Sequence, residues 1–239
     1  MTSTDAPQGP RPGQLPGDPP PGQLPQGPRP GPEVPFQQLL ERARALAARP
    51  GRSILGITGP PAAGKTTLAA NLRDELGAAA AYVPLDGFHL SHELLTAMGR
   101  VDRKGAPDTF DAAGYVALLR RLRDPAEGAV YAPRFDRDIE DSIANAIAVP
   151  PDVPLVITEG NYLLLRSGPW AQVAALLDEV WYIDLAEDTR LRRLIGRHME
   201  FGRDSAEARD RATGSDQRNA VLIEAGRDYA SLVVSVGRG

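Results

Sequence analysis

From residue 53 onward, short apolar runs alternate with longer stretches of amphipathic spacing. The apolar runs cover 53–58, 80–85, 155–158, 180–183 and 232–236. Runs of this length, bounded by glycine, proline or charge, read as buried strands. Helical spacing marks 114–123, 170–177, 189–199 and 217–225, and an earlier segment, 34–49. In that segment Phe36, Leu39, Leu40 and Leu46 share a face, and Pro50-Gly51 supplies the stop. Strands alternating with helices predict an α/β fold, a mostly parallel sheet covered on both faces. Ligands bind such sheets at the carboxyl ends of the strands, so chemistry is sought just after each run.

After the first run comes Gly59-Pro-Pro-Ala62-Ala63-Gly64-Lys65-Thr66-Thr67, a complete G-x-x-x-x-G-K-[ST] sequence. A strand, a glycine-rich turn and a helix N-terminus together form a nest of backbone N–H groups that binds phosphate. Gly59 and Gly64 permit backbone angles and approaches that a Cβ blocks. Lys65 reaches the β- and γ-phosphates, and the Thr66 hydroxyl sits on Mg²⁺. Pro60 and Pro61 cannot donate, so the cradle falls to the amides from Ala62 to Thr67. This pattern predicts a P-loop NTPase, a three-layer sandwich that binds ATP with Mg²⁺.

After the second run comes Asp86-Gly87-Phe88-His89. A carboxylate there borders the phosphate crevice and can accept the proton of an attacking hydroxyl. An aspartate at a strand end also serves as a helix N-cap or turn residue. After the third run, Glu159-Gly160-Asn161 resembles a Walker B end, with glutamate as the magnesium carboxylate. Asp184 ends the fourth run and competes for that role. Gly160, which lets the chain stay close to a ligand, favours Glu159. On the helix that follows, Arg190, Arg193 and Arg197 share a face that can close over a triphosphate or simply be solvated. His198 falls on the apolar stripe and reads as packed.

Composition narrows the setting. The first 35 residues hold 12 of the 23 prolines and repeat Gln-Gly-Pro-Arg-Pro-Gly and Pro-Gly-Gln-Leu-Pro. With little to bury, this stretch reads as a disordered tail over 1–34, ahead of a P-loop domain over 35–239. Cysteine is absent, no run of eighteen apolar residues occurs, and no secretory leader is visible, which together predict a cytoplasmic protein. A net charge of −4 without a basic run speaks against nucleic-acid or membrane partners. A small-molecule substrate is the expected partner, and a homodimer stands as a candidate assembly.

Four segments carry a family resemblance: the phosphate loop, Leu85-Asp-Gly-Phe88, Lys104-Gly-Ala-Pro-Asp-Thr-Phe-Asp111 and Ile157-Thr-Glu-Gly-Asn161. Tyr131-Ala-Pro-Arg-Phe-Asp-Arg137 and the run from Arg190 to Arg197 extend it. In this order they resemble the P-loop small-molecule kinases that include uridine kinase, phosphoribulokinase and bacterial pantothenate kinase. The resemblance implies Asp86 as general base, Glu159 near the metal, and Lys65, Arg193 and Arg197 around the transferred phosphoryl group. It also implies an acceptor pocket, with Phe88, His89, Lys104, Asp108, Phe110, Arg134 and Asn161 as candidate lining. Leu194 and His198 stand where uridine kinases carry arginine and aspartate. Ser215-Asp-Gln-Arg-Asn-Ala220 fits a less-studied branch, labelled nucleoside/nucleotide kinase-like and linked to fructose uptake. A nucleoside, a sugar or a pantothenate-like compound is the expected acceptor. The alternative, a nucleotide-dependent regulator without a metabolite acceptor, has no Asn-Lys-x-Asp base-reading motif to support GTP switching.

Overall fold

A computed structural model describes residues 31–200, 202 and 204–235. The proline-rich tail up to residue 30, and Val236 of the last expected strand, lie outside the described residues. In chain order the elements are α1 (Phe36–Ala47), β1 (Ser53–Thr58), α2 (Lys65–Leu76), β2 (Ala80–Tyr82), α3 (His92–Ala97) and α4 (Ala112–Arg123). They continue with β3 (Val130–Asp136), β4 (Asp141–Val149), β5 (Leu155–Glu159), β6 (Glu179–Ile183), α5 (Glu187–Glu200), α6 (Ser205–Thr213), α7 (Ser215–Glu224) and β7 (Leu232–Val234).

Five strands form one sheet in the order β2-β5-β1-β6-β7, and every pair within it is parallel. β1 lies at the centre with all six residues buried, as expected for a strand covered on both faces. Alternate side chains go to different cores. Ile54, Val180 and Tyr182 join the cluster with α4 and Trp170, while Leu55, Ile57, Trp181 and Ile183 join α1 and α2. Gly56 gives the first face its close packing, since an added Cβ would lie 2.7 Å from Leu177 Cδ1 and push that side chain aside. This is the expected α/β architecture with helices on both faces.

Three features differ from the pattern along the chain. The second strand stops at Tyr82 instead of running to residue 85, because Pro84 offers no ladder donor and Leu85–Phe88 turn as a 3₁₀ helix. The segment 170–177 is not a helix but two 3₁₀ turns, Gly168–Gln172 and Ala174–Leu176. It is short and ends at Asp178, whose carboxylate accepts from the Ile54 amide at 2.7 Å and pins the approach to β6. Tertiary geometry overrides the local spacing there. The antiparallel hairpin β3–β4 was not expected as strands, since Pro133 interrupts β3 and the register shifts between Ala132 and Arg134.

The amino end of the described chain is also ordered by the sheet. The Gly31 amide donates to Asp184 Oδ2 at 3.0 Å, and Ser235 exchanges backbone bonds with Pro32 and Val34. Pairing therefore begins three residues ahead of the expected boundary at residue 34. The same Asp184 carboxylate accepts from Arg227 Nε and Nη2 at 3.1 and 2.9 Å. That commitment leaves Asp184 a structural anchor.

Candidate active site

The phosphate loop leaves β1 at Thr58, whose hydroxyl donates to the Asn161 carbonyl at 3.2 Å. Gly59 has φ +144°, and a Cβ there would fall 2.4 Å from the Ile183 carbonyl, so only glycine fits. Ala62 adopts φ 65° and Gly64 φ +99°, both in the left-handed region. Gly64 caps α2 without a side-chain bond, which leaves the first-turn amides of α2 open to an anion. The Ala63 amide, expected among the donors, instead closes a turn onto the Pro60 carbonyl at 3.2 Å.

Lys65 is buried and folds back over the loop, donating to the carbonyls of Gly59 and Pro60 at 2.9 and 3.0 Å. Burial lowers its pKa to about 8, against the pull of Glu159 and Asp86, and Arg197 lowers it further. The charge of Arg197, on α5, is thus felt in the phosphate loop. Arg193 is half-buried on that helix. Arg190, grouped with them by helical spacing, turns inward instead and is 3% exposed, bonded to Gln217.

Glu159 ends β5 beside Ile57 of β1 and is buried. Its Oε1 accepts from Tyr82 OH at 2.9 Å and from Thr66 Oγ1 at 3.3 Å. Burial raises its pKa, Asp86 raises it further, and Lys65, Tyr82 and Thr66 pull it back. Burial and the same carboxylate also raise the Tyr82 phenol. A desolvated carboxylate beside a hydroxyl is a hard-oxygen donor set, and it suits a cation that fills its other positions with phosphate and water. Magnesium binds in that way. Among the described residues no cluster of three or more His, Asp or Glu offers an all-protein cage, so the donors fit Mg²⁺ delivered with a nucleotide.

Asp86 stands in the 3₁₀ turn after β2 and pairs with Arg137 Nη2 at 3.0 Å, from the turn of the hairpin. Gly87 makes this approach possible, since its Cβ would lie 2.3 Å from the Pro133 carbonyl. A Gly87→Ala variant should push the hairpin off the Asp86 turn at a cost of about 1–3 kcal/mol, typical of overpacking. Urea denaturation reads this as a lowered midpoint, and an unchanged midpoint would show that the hairpin yields freely.

A cavity of about 720 Å³ opens between the hairpin and the sheet edge. Thr66, Tyr82, Asp86 and Glu159 line one end, and Arg134, Phe135, Arg137 and Ile147 line the hairpin side. The other expected acceptor residues frame this space or lie away from it. His89 stacks on Phe110 with centroids 3.9 Å apart, and its Nδ1 is buried without a partner. Burial lowers the His89 pKa. Lys104 donates to the Glu140 carbonyl at 2.7 Å and lies 5.0 Å from the centre of the Phe135 ring. Phe88 packs edge-on against Tyr115 in the core. Phe110 is likewise core, against Tyr162 and Trp170. Asp108 pairs with Arg100 and Arg103 and, with Phe110, borders a second cavity of about 420 Å³. Asn161 contributes its carbonyl to Thr58. Two site residues were missed from the sequence, Tyr82 and Arg137. Tyr82 reads there as an ordinary strand residue. Arg137 lay inside a recognised segment whose hairpin geometry was not foreseen.

Comparison with known proteins agrees with this geometry. A family model described as phosphoribulokinase/uridine kinase family matches residues 54–238. A Schizosaccharomyces pombe protein, provisionally named a uridine kinase, is 32% identical over 200 residues, 79% of this chain and 85% of its own length. A structure from Silicibacter sp. TM1040, provisionally described as a fructose transport system kinase, is 38% identical with a TM-score of 0.73. The match covers 82% of this chain and 95% of that one. YFH7 of Saccharomyces cerevisiae has the same TM-score, 0.73, at 17% identity over 86% of this chain and 100% of its own, and shows the shared fold. The chain belongs to the phosphoribulokinase/uridine kinase family, and its site is that of a P-loop kinase.

Proposed function

We propose that this protein transfers the γ-phosphoryl group of ATP to a hydroxyl of a small metabolite. One observation carries the reading: Asp86 and Glu159 line one cavity together with Thr66, the phosphate-loop hydroxyl that bonds Glu159. The first-turn amides of α2, with Lys65, hold the β- and γ-phosphates. Mg²⁺, held by Thr66 and Glu159, neutralises charge on the phosphate oxygens when bound. Asp86 accepts the proton of the acceptor hydroxyl as its oxygen attacks the γ-phosphorus and ADP leaves. Lys65, Arg193 and Arg197 spread the charge that develops on the transferred group.

Arg134 and Arg137 on the hairpin side suit an acceptor that carries oxygen-rich or anionic groups. A nucleoside, a sugar such as fructose and a pantothenate-like acid are the candidates. The test is incubation with Mg-ATP and a pooled metabolite library, followed by mass spectrometry. The expected result is one compound that gains a single phosphate while ATP consumption rises sharply. No phosphorylated metabolite, with ATP turnover stimulated only by a protein partner, would favour the regulatory reading instead.

A further inference from the structure

The catalytic reading gives no role to the segment 215–220. It forms the first turns of α7, and three of its side chains reach two separate parts of the site. Asp216 Oδ2 lies 2.8 Å from His198 Nε2, near the carboxyl end of α5. Gln217 Oε1 accepts from Arg190, and its Nε2 donates to Glu187 Oε1 at 3.0 Å, both at the amino end of α5. Asn219 Nδ2 donates to the Gly105 carbonyl at 3.4 Å, on the loop 104–111.

Three of these bonds are part-buried, and that of Gln217 to Glu187 is exposed. Asn219 is 7% exposed and Arg190 3%, and a buried polar group is costly to leave unpaired. α5 also carries Arg197, whose charge is felt by Lys65 in the phosphate loop. The loop turns at Gly105, with φ +102°, and is tied farther along by Trp170 Nε1 to the Pro107 carbonyl, by the Leu90 amide to the Thr109 carbonyl and by the Asp111 amide to the Phe88 carbonyl. Tyr162 OH donates to the same Gly105 carbonyl at 2.5 Å, and the Gly105 amide donates to Thr109 Oγ1 at 2.9 Å. One carbonyl thus receives a donor from the sheet side and a donor from α7.

We propose that Asp216, Gln217 and Asn219 are positioning residues that lock the arginine-bearing helix α5 to the loop 104–111. Nucleotide binding that orders α5 then orders this loop before the acceptor arrives. The proposal rests on the kinase reading and on 104–111 as the loop beside the acceptor. Its physical basis is shared ordering: a segment bonded to an element already fixed by one ligand loses less freedom when the next binds.

Amide hydrogen exchange tests it without knowledge of the acceptor, using Mg²⁺ and the non-hydrolysable β,γ-imido analogue of ATP. In the full-length parent the analogue should slow exchange at the phosphate loop, at α5 and at 101–110, the last by about fivefold or more, the lower end of measured site-to-site couplings. In Asn219→Ala the phosphate loop and α5 should stay protected, while 101–110 slows by less than about twofold. Tyr162→Phe removes the other donor to Gly105 and leaves the α7 bond, so it should keep the coupled slowing. Should Asn219→Ala fail to fold, the double variant Asp216→Ala with Gln217→Ala makes the same test from the α5 side. Loop protection that survives in Asn219→Ala or in the double variant, that vanishes equally in Tyr162→Phe, or that is absent from the parent overturns the proposal. A phosphate loop left unprotected by the analogue would overturn the nucleotide-binding reading itself.

Discussion

Asp86→Asn should bind Mg-ATP as the parent does and phosphorylate its acceptor about 10²–10⁴-fold more slowly, the usual share of a general base. Asparagine keeps the size of the side chain but cannot take up the proton that the hydroxyl must lose. The carboxylate is held in place for that task. Arg137 donates to its Oδ2 at 3.0 Å, and Gly87 lets the hairpin approach closely enough to make the pair. The pair stabilises the fold little, because the side chains are 61% and 39% exposed, and such surface pairs contribute roughly 0–1 kcal/mol. Melting temperature should therefore move little while turnover collapses. Calorimetric titration with ATP and a steady-state assay with the identified acceptor separate the two effects. Wild-type turnover in the variant would remove Asp86 from the base role. Loss of ATP binding along with turnover would instead place its carboxylate in the service of the metal.

The central sheet was legible because its strands are buried on both faces, so they appear as unbroken apolar runs. β1, β5 and β6 fall where those runs lie, and Thr66 and Glu159 follow from strand ends that the parallel topology must bring together. The hairpin was not legible for the opposite reason. β3 and β4 leave most of their residues exposed or only partly buried, so they carry no apolar run, and Pro133 hides the pairing. Arg137 depends wholly on that hairpin. No spacing along the chain sets it beside Asp86, 51 residues earlier.

Aromatic residues near the site misled in a different way. Phe88 and Phe110 follow motif positions that suggest a pocket wall, yet their rings complete the core beneath it, against Tyr115, Tyr162 and Trp170. A ring at a strand end serves either purpose, and only the packing of distant elements decides between them. Arg190 shows the same limit for charge. Helical spacing sets it in line with Arg193 and Arg197, but it is buried against α7, whose position the α5 sequence does not encode.

Lys65 gives the prediction with the widest reach, since its proton is linked to the ligand. In the nucleotide-free protein, burial lowers its pKa from 10.5 to about 8. The unfolded chain therefore binds more protons between those values, so this lysine costs stability below pH 8 and the cost is relieved as pH rises toward 10.5. A bound triphosphate brings negative charge against the ammonium and restores its proton affinity. At pH 9 the protein should accordingly take up a fraction of a proton when it binds the imido analogue of ATP, whose own phosphates are fully ionised there. Titration calorimetry in two buffers of different ionisation enthalpy measures that uptake directly. Lys65→Met should abolish the buffer dependence and lower phosphoryl transfer by about 10²–10³-fold, the loss expected for one charge-stabilising donor. Equal heats in the two buffers at pH 9 for the parent protein would show that Lys65 keeps its proton in the empty loop. The carbonyls of Gly59 and Pro60, with the charges of Glu159 and Asp86, would then offset its burial.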